Sequence, residues 1–203
     1  MNFHDLFFNS RIGYLLQIVP FLLLTAAVFW LCRGCWLKRR GIRRSGILLE
    51  GLLVVFVCYL SGLAALICTP ANFWGRFWYF VCYRRPGGEL DPLFSGSFNL
   101  VPTLFKYLTG KYTGGSWTTF LFAGNALLFL PFGLLLPAVR PRMGLAKVLG
   151  LALAVSLAME LFQPIVGRSF DTDDLIMNTL GALIGYILYF ILRSIFQKKE
   201  VKL

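Results

Sequence analysis

The sequence predicts an all-α, polytopic membrane helical bundle of about five transmembrane helices, with the N-terminus out, the C-terminus in and a long aromatic outer loop. Three observations predict it. Hydrophobic residues make up 58% of the 203 residues and charged residues only 14%, more apolar than the core of a soluble domain requires. Several runs near twenty residues long are almost free of charge, the length needed to cross about 30 Å of hydrocarbon. The 20 Lys and Arg, against 9 Asp and Glu, fall mostly between those runs. A net charge of +11 would suggest nucleic acid in a soluble protein. Here the bases act as topology signals and contacts for anionic membrane lipids, and no nucleic-acid partner is expected.

The spans fall at residues 12–32, 47–69, 118–139, 145–165 and 175–192. The first is too long for a cleavable signal, lacks a small-x-small cleavage site and is followed directly by six bases, so it is expected to stay as a helix. Thirteen bases share one side: Arg33, Lys38, Arg39, Arg40, Arg43 and Arg44 after span one, Arg140, Arg142 and Lys147 after span three, and Arg193, Lys198, Lys199 and Lys202 in the tail. Positive loops stay in the cytoplasm, which places the N-terminus outside and the C-terminus inside. The expected division is an N-terminal helix with its basic loop (1–45), a membrane domain (46–197) and a basic tail (198–203).

The outer loop, 70–117, carries Trp74, Trp78, Tyr79, Phe80, Phe94, Phe98, Phe105, Tyr107, Tyr112 and Trp117. Rings with a polar edge settle at the headgroup level. Segments 72–83 and 100–108 are expected to form short amphipathic or re-entrant helices, because bare irregular backbone cannot face lipid.

The segment 160–185, ELFQPIVGRSFDTDDLIMNTLGALIG, sets Glu160, Arg168, Asp171, Asp173 and Asp174, with Gln163 and Asn178, between two apolar runs. Charge near hydrocarbon is costly, so such residues pair, face a cavity or serve function. At 100° per residue, Asp174, Asn178, Gly181 and Gly185 share an arc of about 60°, and Ser156, Glu160 and Gln163 share another. Gly181 and Gly185 form a GxxxG, a face on which another helix packs closely. That spacing also leaves helix-mediated self-association open. Pro164 cannot donate to the carbonyl of Glu160, and Pro131 likewise frees that of Leu127, which suggests a kink turning Asn125 inward.

In order and spacing, NLVP at 99–102, GNALLFLPFGLLLP at 124–137, Glu160, Gln163, Arg168 and DTDDLIMNTLGALIGY at 171–186 resemble the signature blocks of the VanZ-like family. These are small bacterial membrane proteins named for a teicoplanin-resistance determinant. The resemblance implies a multi-pass protein of the bacterial cell membrane and, for some members, a link to glycopeptide susceptibility. It supplies no settled reaction.

The charged set admits three readings. Arg168 fastens the spans by pairing Glu160 with an aspartate. Alternatively it engages a lipid-linked phosphate or a carboxylate while Glu160, Gln163 and Asn178 take sugar or peptide groups. Or the aspartates hold a divalent cation, or Glu160 acts as a general base. The aspartates equally suit the N-terminus of span five, where acids favour the helix dipole. Ligand-binding candidates are Asn99, Asn125, Glu160, Gln163, Arg168, Asp171, Asp174 and Asn178, with Glu160 the catalytic candidate and no resident metal or cofactor expected. The lone histidine, His4, lies outside the spans, which removes histidine-dependent hydrolase chemistry from the core, and there is no Walker A sequence.

Three minor features complete the reading. Cys32 and Cys35 form a CxxC open to redox, metal or acylation roles, and Cys68 with Cys82 is a candidate disulfide. Glu50 is expected to pair locally with Arg43 or Arg44. Tyr14, Gln17 and Thr25 give span one a mildly polar face without an evident site.

The function expected is an outer pocket that binds an anionic envelope molecule, for which a lipid-linked wall precursor is the natural ligand. A membrane enzyme acting on such a headgroup and a scaffold for envelope proteins are the alternatives.

Overall fold

The computed structural model describes residues 3–8, 10–70, 73–89, 92–111 and 115–200. Residue 72, the start of the segment 72–83, and Tyr112 and Lys202 lie outside them, as do the side chains of Trp117, Lys198 and Lys199. Among the described residues there are eight α-helices: α1 (Phe3–Phe8), α2 (Arg11–Arg40), α3 (Ile47–Ile67), α4 (Phe73–Tyr83), α5 (Thr103–Leu108), α6 (Ser116–Val139), α7 (Leu145–Phe162) and α8 (Thr172–Glu200). Five stretches are long and apolar enough to cross a membrane: Ile12–Arg40, Ile47–Ile67, Thr118–Val139, Leu145–Val166 and Thr172–Ile195. Their flanks expose Leu23, Leu31, Val55, Leu127 and Leu161, as helices surrounded by hydrocarbon must.

The chain forms two compact units, Met1–Gly96 with Gln163–Arg168, and Ser97–Phe162 with Ser169–Leu203. In the first, α2 and α3 are an antiparallel hairpin. Helix α2 runs past the expected end at residue 32 to Arg40, because Arg and Lys are good helix formers and favour a helix C-terminus. Gly41, at φ 63°, then closes it in the left-handed conformation. The extension carries Arg33, Lys38, Arg39 and Arg40 on helix rather than loop, and it changes the partner of Glu50. Arg33, not Arg43 or Arg44, grips that carboxylate with two N–H groups at 2.5 and 2.8 Å. The Ser45 amide adds a third donor at 3.1 Å, and Arg44 instead lies over the Trp30 ring.

Helix α4 confirms the expected short helix and shows what its aromatics do. The Trp74 indole donates to the Ala65 carbonyl at 2.9 Å and the Trp78 indole to the Gln17 carbonyl at 2.7 Å. Trp74 is buried with Ile18 and Ala65. The ring-rich segment is therefore fastened to α2 and α3 as well as rich in exposed rings such as Phe77 and Phe80. Helix α1 was not foreseen. It folds back so closely that a Cβ on Gly13 would overlap the carbonyls of Leu6 and Phe7.

In the second unit, α6 and α8 cross on glycines. A Cβ on Gly181 would overlap the Ala126 carbonyl, one on Gly185 that of Leu130, and one on Gly133 that of Ala182. The GxxxG face of α8 is thus filled by α6 of the same chain. Helix α7 turns one face, Val148, Ala152, Ser156 and Glu160, into the interior at spacings of four. Helix α6 stays continuous through Pro131 and Pro137. A strand pair absent from the sequence reading, β1 (Phe98–Asn99) with β2 (Phe170–Asp171), runs parallel with Phe98 opposite Phe170 and Asn99 opposite Asp171.

Candidate functional site

The acidic block begins where α8 begins. Asp171 is the residue before the first turn, and its Oδ1 accepts the Asp173 amide at 2.9 Å, satisfying a helix-start N–H. Its Oδ2 accepts from the Asn99 amide at 3.1 Å. Its own N–H donates to Glu160 Oε2 at 2.9 Å. One aspartate thus joins β1, α7 and α8.

Asp173 points the other way and caps a different helix. Its carboxylate accepts the Thr103 amide at 2.7 Å, the Thr103 hydroxyl at 2.6 Å and the Leu104 amide at 3.0 Å, the first N–H groups of α5. Only 2% of Asp173 is exposed. Negative charge at a helix N-terminus is favoured by the dipole and by its open donors. Thr172 adds a bond to the Asn99 carbonyl, and Ser97 and Ser169 join through their hydroxyls. The NLVP and DTDD blocks are therefore two halves of one clasp.

Asn125 on α6, the residue before Ala126, donates to Asp174 on α8, about two turns before Gly181. This is the interhelical bond that an amide within a span is suited to make.

Between α7 and α8, Ser156 is fully buried and accepts from Asn178 Nδ2 at 2.8 Å. Glu160, a turn along α7, is 2% exposed. Asn178 is 4% exposed, and its Oδ1 has no hydrogen-bond donor. Buried carbonyl oxygens nearly always have a partner, so this one calls for an explanation. The polar chemistry here is acceptor-rich: a carboxylate, a serine hydroxyl and an amide oxygen. It suits hydroxyl, amide or ammonium donors on a ligand.

Arg168 and Gln163 belong to the first unit. Gln163 opens the 3-10 turn Gln163–Val166 and is buried. Arg168 Nη1 donates to the Leu66 carbonyl at 2.9 Å, at the end of α3 where carbonyls lack helical partners and positive charge is favoured. That capping role was not among the three sequence readings. The carbonyls near Pro164 are also used, since Phe94 N–H donates to Ile165 and Gly96 N–H to Pro164. Beside Arg168, burial pushes the Cys68 thiol up, and the guanidinium acts in the opposite direction. Cys32, Cys35, Cys58, Cys68 and Cys82 are free thiols. Among the described residues, no three His, Cys, Asp or Glu side chains are grouped to hold a metal ion.

Asp173, Ser156 and Thr103 were missing from the ligand-binding candidates, although Asp173 stood among the aspartates read as able to hold a cation. Ser156 was visible on the Glu160 arc. Asp173 pairs with a helix start about seventy residues away, which no local spacing reveals.

A family model described as VanZ/LLP1 matches residues 56–193, more than half of the chain. No match was found among curated proteins or among solved structures.

Proposed function

The chain belongs to the VanZ/LLP1 family, and from that premise we propose that it is a bacterial cell-membrane protein that binds an anionic, lipid-linked envelope molecule on its outer side. Binding is proposed to lower susceptibility to teicoplanin-type glycopeptides. The observation that carries the reading is Asn178 Oδ1, buried and without a donor beside Ser156. An acceptor withheld from both water and protein costs about 1–3 kcal/mol. A ligand hydroxyl or amide recovers that cost, and a lipid-linked wall precursor presents both. The aspartates contribute by holding the clasp around α5 and the start of α8, since Asp171 and Asp173 are occupied by backbone amides.

Expression in a susceptible Gram-positive host is expected to raise the inhibitory concentration of teicoplanin several-fold and that of vancomycin less, because a lipid-tailed drug acts at the membrane surface. Wall-precursor peptide termini stay unchanged. Asn178→Ala and Ser156→Ala, at normal accumulation, abolish the shift. A shift that persists in both variants, or altered precursor termini, rejects the reading.

The outward orientation has its own test. Single cysteines at Ser95 and Ser169, both exposed, are expected to react with an impermeant thiol reagent on intact cells, in a background lacking the five native cysteines. One at the exposed Ser45 is expected to stay unlabelled until the cells are opened. External labelling at Ser45 reverses the topology and moves the clasp to the cytoplasmic side.

A further inference from the structure

The first unit contains a cavity of about 880 Å³ among α1, the first turns of α2, α4 and the turn at Pro86 to Gly88. That volume lies within the range of small-molecule sites. Two of its walls present buried polar atoms that lack a partner. Gln17 is 2% exposed; its Nε2 donates to the Phe7 carbonyl at 2.7 Å, which fixes the amide, and its Oε1 receives no donor. Arg76 donates through Nη2 to the Gly88 carbonyl, while its Nη1 is buried without an acceptor. Among the described residues, no carboxylate lines the cavity. Arg76 is half-buried, and a guanidinium nitrogen withheld from water in this way favours an anionic partner.

We propose that this cavity binds the headgroup of an anionic phospholipid, with the phosphodiester on Arg76 and a headgroup hydroxyl donating to Gln17. The unsatisfied pair is complementary to such a group: one donor for a phosphate oxygen and one acceptor for a hydroxyl. Guanidinium matches phosphate geometry.

The far side of Arg76 favours a lipid over free phosphate. A second hollow of about 250 Å³ shares Arg76, Pro86 and Gly87 with the cavity and is otherwise walled by Phe73, Phe77 and Phe80. These three rings recur at the four- and three-residue steps of one helix face. Phe77 and Phe80 are 44% and 52% exposed. An acyl chain lies along that face while the headgroup enters beside Arg76. This site shares no residue with the Glu160 and Asn178 cluster, and the two proposals stand or fall separately.

The test uses the purified full chain in detergent, titrated with dihexanoyl phosphatidylglycerol, dihexanoyl phosphatidylcholine or inorganic phosphate, with binding read as a saturable rise in melting temperature. Phosphatidylglycerol is expected to bind at least tenfold more tightly than either of the others. Arg76→Gln and Gln17→Leu each weaken it tenfold or more, and Arg76→Lys retains part of it. Should the buried variants fail to accumulate, Phe77→Ser on the exposed face is expected to weaken phosphatidylglycerol binding several-fold in a folded protein. Equal binding of phosphatidylcholine removes the anionic site. Equal binding of inorganic phosphate removes the lipid. Unchanged affinity in Arg76→Gln, or in Phe77→Ser where Arg76→Gln does not accumulate, overturns the proposal.

Discussion

Arg33→Ala is expected to lower the stability of the N-terminal unit by about 3 kcal/mol, the low end for breaking a buried ion pair. Glu50 keeps only 3% of its side chain exposed and Arg33 keeps 22%, so removing the guanidinium leaves a buried carboxylate without its ion-pair partner while the lost charge itself is partly solvated. The Ser45 amide remains as a donor but cannot neutralise it, and Arg44, which acts on Glu50 only through space, stands over the Trp30 ring. Replacing both partners, as Arg33→Leu with Glu50→Leu, is expected to recover most of the loss, because well-packed apolar residues substitute for a buried pair at little cost. Thermal unfolding in lipid bicelles measures the cycle. A cost under about 1 kcal/mol for Arg33→Ala, or a double variant as unstable as the single, means that Glu50 does not depend on Arg33.

The same pair shows why the hairpin was only partly legible. Hydropathy located all five spans because run length is a direct count of residues against membrane thickness. It placed the end of span one at residue 32 because a run of Arg and Lys resembles a loop, although those residues continue a helix well. Two extra turns were enough to exchange Arg43 and Arg44 for Arg33 as the partner of Glu50. Helix α1 and the β1–β2 pair, at six and two residues per element, are too short to carry a periodic signal.

The candidate site was legible as chemistry and less so as geometry. Helix-face arithmetic put Asn178 above Gly181 and Ser156 beside Glu160, and the structure joins Asn178 to Ser156. It did not reveal that Asp171 and Asp173 cap two different helices, because the start of α5 lies far along the chain. Gln17 was set aside as part of a mildly polar face. Its significance depends on α1 and α4, which supply a partner for one amide atom and leave the other without one. Pattern reading finds which polar residues lie in a span, whereas satisfaction of each donor and acceptor needs the packed structure.

Gly181→Leu is expected to destabilise the second unit by about 3 kcal/mol or more, the upper end for forcing side-chain volume into a packed contact. The added carbon meets the Ala126 carbonyl, and backbone on both helices leaves nothing flexible to yield. Relief requires α6 and α8 to separate, which also disturbs the contacts at Gly185 and Gly133. In a membrane, lost dispersion between helices is not offset by a hydrophobic drive to stay together. The Asn125–Asp174 bond, which joins the same two helices, weakens with it. Gly150→Leu on α7 is the control, since a Cβ there meets nothing within 4 Å and the position is exposed. Melting temperature and yield of monodisperse protein are expected to fall for Gly181→Leu and stay near wild type for Gly150→Leu. Matching behaviour of the two variants rejects the close α6–α8 crossing, and with it the placement of Asn125 beside Asp174.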